Sequence, residues 1–478
     1  MDKINYLSQS TSLTIVVVIS LIFTLIGLTY SKKYQGINNY LTANRNIGFF
    51  SLSTSLVASA LGAWVLFGPA SAATWGGIGA VIGYALGTAF PMIFLIPLGK
   101  KIRNEFSKGS TLIEFLRKRF GKSLFKLILL MTIFYMFVFL CAEVTAVAIL
   151  INYISGTELW VTASIILIST LAYTLYGGLR ASIFTDMIQM IVILILFLIS
   201  VIYLTSFTGD QFSFSFINEK NPQLLSGNYI PNYTAGLTFF IAVAATNLFH
   251  QGNWQRVYAA KNNKILKKSL IFAFIVIIPI VLFMGFSGLV AVSVDSNVSP
   301  DLGFFSLLLR DQTEFLSMII VILGLSLTIS TVDTLINAIS SLIVVDGKAT
   351  FNVTNKINYL DFSKYFIVGL SIVTFIIASK GFSILYLFLL ADLFCCAFVL
   401  TVFYSFYNKK LDEKTAYISI IIGLIGGFLL FPAPDFSKSL LVGMMLPVDF
   451  FPLFVSQSLL FLSFLVATFI PVAIWKLR

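Results

Sequence analysis

Charge is what this sequence has least of: Asp, Glu, Lys and Arg together make up 11% of its 478 residues, against about a quarter in soluble domains. With 58% hydrophobic residues and a mean hydropathy of +0.96, that shortage excludes an ordinary water-soluble domain and implies a polytopic, all-α membrane protein. Histidine is nearly absent as well. His250 stands alone, which excludes a multi-histidine metal centre and the paired histidines of an HExxH protease, and there is no GxGD aspartate motif. Cys141, Cys395 and Cys396 lie within apolar runs, so neither a disulfide framework nor a thiolate metal site is suggested. We expect no enzyme, no catalytic residue and no organic cofactor. A solute or ion channel is the weaker rival, since no repeated pore loop or ring of charge is visible.

What is present is a series of apolar runs. The first, Thr11 to Tyr30, is long enough to span a bilayer and lacks the basic start and small-residue cleavage site of a secretory signal, so it reads as a retained helix. Further spans are predicted near 48–75, 76–98, 122–154, 158–176, 183–207, 234–258, 267–293, 313–345, 361–379, 382–407, 414–431 and 451–475, about 13 in all. Basic residues concentrate in alternate loops, at 31–47, 99–121, Arg180, 256–268, 348–364, 409–414 and the C-terminal end. The opposite side has only Lys3, Lys220, Arg310, Lys380 and Lys438. By the positive-inside rule the N-terminus is outside and the C-terminus inside, which requires an odd number of spans. The net charge of +11 is thereby explained as topology, without nucleic acid as a partner.

The stretch from Gly324 to Asp346 places Ser326, Ser330, Asp333, Thr334, Asn337 and Ser341 on one helix face inside an apolar region. A carboxylate at bilayer depth has to face protein, water or an ion. Hydroxyls that merely bond back to their own helix are the plainer alternative. Two other spans look irregular: the second, with Gly62, Gly68-Pro69 and a glycine-rich end, and the seventh, whose second half carries Asn247, His250, Gln251, Asn253 and Gln255. Freed backbone at membrane depth is tolerated only in protein or along a cavity. These irregular spans each head a group of five, 48–207 and 234–407. Five is odd, so the two units are inverted in the membrane, the arrangement that points to a midplane solute and ion site. Residues 1–47 form an extra N-terminal helix and loop, and 408–478 two peripheral helices.

On Ala58-Ser59-Ala60-Leu61-Gly62-Ala63-Trp64, Tyr173-Thr174-Leu175-Tyr176-Gly177-Gly178, Thr185-Asp186 with Gln189, and Ser330-Thr331-Val332-Asp333-Thr334, the chain resembles the sodium:solute symporter family. The resemblance implies the five-plus-five inverted repeat and sodium-driven symport of a small polar organic solute by alternating access, with sodium as coupling ion and sole metal. Carried over by position, a first sodium site would use the hydroxyls of Ser330 and Thr331 with carbonyls of Ala58, Leu61 and Leu327. Hard cations favour such oxygens. A second sodium or proton site would use Asp186, Ser330, Asp333 and Thr334, and a proton-coupled symporter using Asp186 and Asp333 is the alternative. Asp186 also sits where it would cap the sixth span. At Ala60 the sequence departs from the sodium/proline branch, which has an aspartate there.

The solute pocket should flank the two irregular spans. Trp64, Phe67, Asn247, His250, Gln251 and Trp254 are its candidates, with packing as the alternative for the aromatic residues. Glu143 and Asp392 are further deep acids; if both line the pocket a cationic or amine-bearing solute is suggested, the alternative being that each is protonated and hydrogen-bonds across helices. The segment Trp254-Gln255-Arg256 resembles one in urea-transporting relatives. A multi-pass protein of the plasma (inner) membrane is expected, with the bilayer and the solute as partners and no obligatory protein partner evident.

Overall fold

The computed structural model describes residues 6–207, 209–311, 313–351, 358–434, 439 and 459–477. Residues 451–458 of the last expected span, and Lys3, Lys356, Lys438 and Arg478, lie outside them. The described chain is helical. It begins with α1 (Gln9–Lys33), α2 (Ile37–Thr42), α3 (Phe49–Ala60) and α4 (Trp64–Glu105). Next come α5 (Leu112–Arg119), α6 (Lys122–Ser155), α7 (Leu159–Phe207) and α8 (Phe214–Lys220). After α9 (Ile230–Phe249), α10 (Gln251–Ala259) and α11 (Asn263–Val294) follow the short α12 (Gly303–Leu308), α13 (Glu314–Leu342) and the short α14 (Lys348–Phe351). The chain closes with α15 (Tyr359–Ala378), α16 (Ile384–Ser405), α17 (Glu413–Leu430) and α18 (Leu459–Lys476).

Among the described residues, ten helices are long and apolar enough to cross a membrane. Two of them are much longer than the ~20 residues a crossing needs: α4 has 42 and α7 has 49. Each kinks at one glycine, Gly77 (φ 60°) and Gly178 (φ 59°), a backbone region that L side chains avoid. A Cβ on Gly178 would overlap Tyr40, and one on Gly77 would overlap Asn232 and the Leu224 carbonyl. The kinks fall where the sequence separates the second from the third span and the fifth from the sixth.

Helix α13 is the centre of the bundle. Every residue from Leu323 to Leu342 is buried, whatever its polarity, so its polar stripe is one face of a helix enclosed on all sides. It packs against α3, α6 and α7, while α4 packs against α9 and α11 and α6 against α16, a pattern of the inverted-repeat kind. Outer helices keep apolar faces outward, as α15 does with Tyr365, Ile372 and Ile376.

Arginines draw several of the basic loops together. Arg45 donates to the Gly109 carbonyl at 2.6 Å, Arg103 to the Val257 carbonyl at 2.5 Å, and Arg180 to the Ala43 carbonyl at 3.1 Å. Arg119 reaches the carbonyls of Asn408 and Leu411, both at 2.9 Å. Loop carbonyls left without amide partners at helix ends are thereby satisfied. Arg256 is a correction to this pattern: counted by sequence among the loop charges, it is fully buried.

Candidate functional site

The site begins with two broken helices. Between α3 and α4 the ladder stops at Leu61, Gly62 and Ala63, while Gly68-Pro69 continues as helix. Glu143 of α6 accompanies the break: its Oε2 accepts from the Ala63 N–H at 2.8 Å, at the start of α4, where the first amides of a helix lack intrahelical partners. A Cβ on Gly62 would overlap that carboxylate. Glu143 therefore supports the interruption and does not line the pocket. The second break is a single residue, His250, at φ −58° and ψ 107° between α9 and α10.

The polar side chains around His250 divide in two. Asn253 donates to the Asn247 carbonyl at 2.9 Å and Trp254 Nε1 to the Leu248 carbonyl at 2.8 Å, bonds that close the ends of the broken helix. Gln251 donates to the Ser110 carbonyl and to Ser341 Oγ, both at 3.2 Å, and accepts from the Leu112 amide. Gln251 and Trp254 thus hold the backbone, and neither lines the cavity beside the breaks; nor does Phe67, packed on Phe305. Trp64, Asn247, His250 and Asp392 do line it, with Ser59, Ala60, Tyr84, Phe139, Val243, Thr246 and Phe388. Its volume is about 20 Å³, room for roughly one water molecule.

A second polar cluster lies where α3, α7, α10 and α13 meet. Arg256 Nη2 is 2.6 Å from Asp186 Oδ2, both side chains being fully buried. The same guanidinium donates to Ser55 Oγ at 2.7 Å, Thr334 Oγ1 at 2.9 Å and the Gly252 carbonyl at 3.1 Å. Asp186 also accepts from Ser55 and Ser330, each at 2.6 Å. One residue away, Asp333 is surrounded by hydroxyl donors: Tyr173 at 2.6 Å, Ser182 at 2.7 Å and Thr185 at 3.2 Å. Buried charge needs such partners. Asp186, Ser330, Asp333 and Thr334 are therefore brought together as their sequence positions suggest, around an arginine that sequence reasoning left in a loop.

The stripe's two readings both apply, to different residues. Ser326 and Thr331 bond back to the carbonyls of Ile322 and Leu327, at 2.8 Å and 3.2 Å, whereas Ser330, Asp333 and Thr334 bond across to other helices. Beside them, α3 ends at Ala60, so carbonyls in its last turn lack the amides of a continuing helix. Neutral oxygens of this kind can hold a monovalent hard cation.

The sodium:solute symporter family profile matches residues 40–423. The chain belongs to this family. Over 408 residues, 83% of this chain and 76% of the relative, it is 26% identical to the spermidine transporter DUR31 of Candida albicans. Sodium/glucose cotransporter 1 of Ovis aries is 29% identical over 196 residues, 39% of this chain and only 28% of that protein. Among solved structures, a Na+-coupled sialic acid symporter in a substrate-bound outward-open state matches with a TM-score of 0.70 at 18% identity, over 96% of this chain and 98% of that one. The symporter fold thus holds across nearly the whole length. Sequence reasoning missed Ser55, Ser59, Tyr84, Phe139, Thr246 and Phe388; single small or aromatic residues in apolar helices carry no signal until their neighbours are known. For Arg256 a signal existed, in a run of polar residues that no lipid-facing helix would carry.

Proposed function

We propose that the protein imports a small polar organic solute across the plasma membrane, driven by sodium and by alternating access. The observation that carries this is the pairing of two helix breaks, at Leu61–Ala63 and His250, beside one narrow cavity that carries Asn247, His250 and Asp392. The family's sodium-coupled members support the choice of ion. In this reading the kinks at Gly77 and Gly178 divide α4 and α7, α9 and α10 form one interrupted span, and thirteen crossings result, N-terminus outside, with inverted units at 48–207 and 234–407. Sodium sits among Ser330, Thr331 and the carbonyls of Ala58, Leu61 and Leu327. It stabilises the occluded form because it binds that form better, and solute and ion raise each other's affinity by the same factor.

One sodium suffices. In the position of the second ion, Asp186 already has a cation, the Arg256 guanidinium. The relatives leave the solute open, since spermidine, glucose and sialic acid differ in charge. Purified protein in proteoliposomes tests the coupling: sodium concentration jumps should move charge in the wild type, and Ser330→Ala and Thr331→Ala should each abolish or strongly weaken the signal. Unchanged signals in both variants would defeat the site. Uptake driven by a pH gradient with choline replacing sodium would move the assignment to a proton relay through Asp186 and Asp333.

A further inference from the structure

We propose that the solute is a cation, an ammonium group seated on Asp392 between aromatic walls; this rests on the symporter reading and names its substrate class. The deep acids divide cleanly. Glu143 bonds the Ala63 amide through one oxygen and lies outside the cavity lining, Asp186 pairs with Arg256, and Asp333 accepts from hydroxyls of three other helix positions. Asp392 alone among these acids lines the cavity, where it accepts one hydrogen bond, from Thr246 at 2.5 Å, and pairs with no basic side chain among the described residues. Of these acids it is therefore the one that a cation entering the cavity can reach.

The hydrogen-bond census of the cavity points the same way. Three of its donors are already engaged: Ser59 donates to the Leu56 carbonyl at 3.3 Å, Asn247 to the Val243 carbonyl at 3.0 Å, and Thr246 to Asp392. Acceptor capacity remains at Asp392 and the Asn247 amide oxygen, beside a His250 ring whose two nitrogens are both buried and unpartnered. Neutral imidazole contributes one acceptor and one donor. A ligand with N–H donors satisfies these acceptors, whereas a carboxylate would be set against Asp392.

Aromatic faces complete the seat. Trp64 and Tyr84 stack with centroids 5.4 Å apart, and Phe139 meets Phe388 at 4.7 Å, all four lining the cavity. Tyr84 is also stacked on Phe239 at 4.8 Å, so its own faces are covered, and the remaining rings are the ones that could attract a cation through their quadrupoles. The volume of about 20 Å³ matches an –NH3+ head, so the remainder of the solute enters as the walls part.

Binding to the purified full chain, read as a thermal shift with and without sodium, tests this with size-matched probes: n-butylammonium, 1,4-diaminobutane and tetramethylammonium against 1-butanol and butyrate. At least one ammonium probe should stabilise the wild type more strongly with sodium present, and the neutral and anionic probes should not. Asp392→Asn keeps an acceptor for Thr246 and should weaken the ammonium probe by about 30-fold or more while leaving the sodium shift in place. Preference for butanol or butyrate overturns the inference, as does failure of every ammonium probe beside an intact sodium shift. Undiminished ammonium affinity in Asp392→Asn also overturns it. If that variant fails to fold, the wild-type charge series decides alone. Ammonium binding that is indifferent to sodium supports the seat and overturns the coupling.

Discussion

Asp186 and Asp392 are two buried aspartates in one helical bundle, and their surroundings differ in kind. Around Asp186 stand a guanidinium at 2.6 Å and the hydroxyls of Ser55 and Ser330, so charge and hydrogen bonds are satisfied by the chain itself. Around Asp392 there is one hydroxyl, Thr246, and a small cavity. An acid with an internal counter-charge ties helices together, whereas Asp392 faces the cavity with a single hydroxyl partner. Stability and binding should therefore separate between the two sites.

The largest effect comes from removing the internal cation. Arg256→Gln leaves a buried carboxylate uncompensated and should lower unfolding stability by about 3–5 kcal/mol. Adding Asp186→Asn removes the orphan charge and should recover most of that loss. Asp392→Asn, by contrast, should cost less than about 1 kcal/mol, because the Thr246 bond persists and no ion pair is broken. Denaturant titration in detergent, with a tertiary-structure probe, measures all three. Equal losses for Arg256→Gln and Asp392→Asn would break the comparison.

Glu143 sharpens it, as an acid whose one hydrogen bond goes to backbone while its other oxygen is buried without a partner. Gly62→Ala drives a methyl into the Glu143 carboxylate and should cost about 1–3 kcal/mol. In Glu143→Ala the obstruction is gone, so the double variant should lose less than the sum of the single changes. Strict additivity would mean that the glycine serves only the backbone.

How much of this was legible beforehand follows from the same residues. The apolar runs, the polar face of α13 and the irregular second and seventh spans were readable because a membrane penalises every misplaced polar group, so polarity in the wrong place is informative. The grouping of Asp186, Ser330, Asp333 and Thr334 came from motif likeness. What sequence left open was pairing: Glu143 and Asp392 look alike as isolated acids, and only packing reveals that one faces an amide and the other a cavity. Arg256 was misplaced because a helix-end arginine reads as a loop charge unless the polar run before it is taken as buried.

Next in size is the glycine kink, which tests whether local backbone matters as much as buried charge. Gly178 has φ 59° and lies against Tyr40, while Gly36 has φ 98° with nothing within 4 Å of a Cβ. Gly178→Ala should cost about 1–3 kcal/mol from strain, plus the displacement of Tyr40. Gly36→Ala carries strain alone and should cost less. Thermal unfolding of the pair separates crowding from conformation.

The smallest effect belongs to an ion pair with the same charges as Arg256–Asp186 and none of its burial. Lys101 and Glu105 meet at 3.4 Å one helical turn apart, with side chains 31% and 45% exposed, where the buried pair shows 0% for both. Lys101 also lies 4.9 Å over the Tyr407 ring, so changing the lysine would remove two interactions at once. Glu105→Gln isolates the pair. Water screens the attraction and side-chain ordering offsets it, so the loss should be about 0.5 kcal/mol or less and should vanish near 1 M salt, where the Debye length is about 3 Å. The Arg256→Gln loss should persist at that salt, since the low-dielectric interior excludes the screening ions. Equal salt sensitivity of both losses would mean that solvent reaches Asp186, which would reopen that position to a second ion.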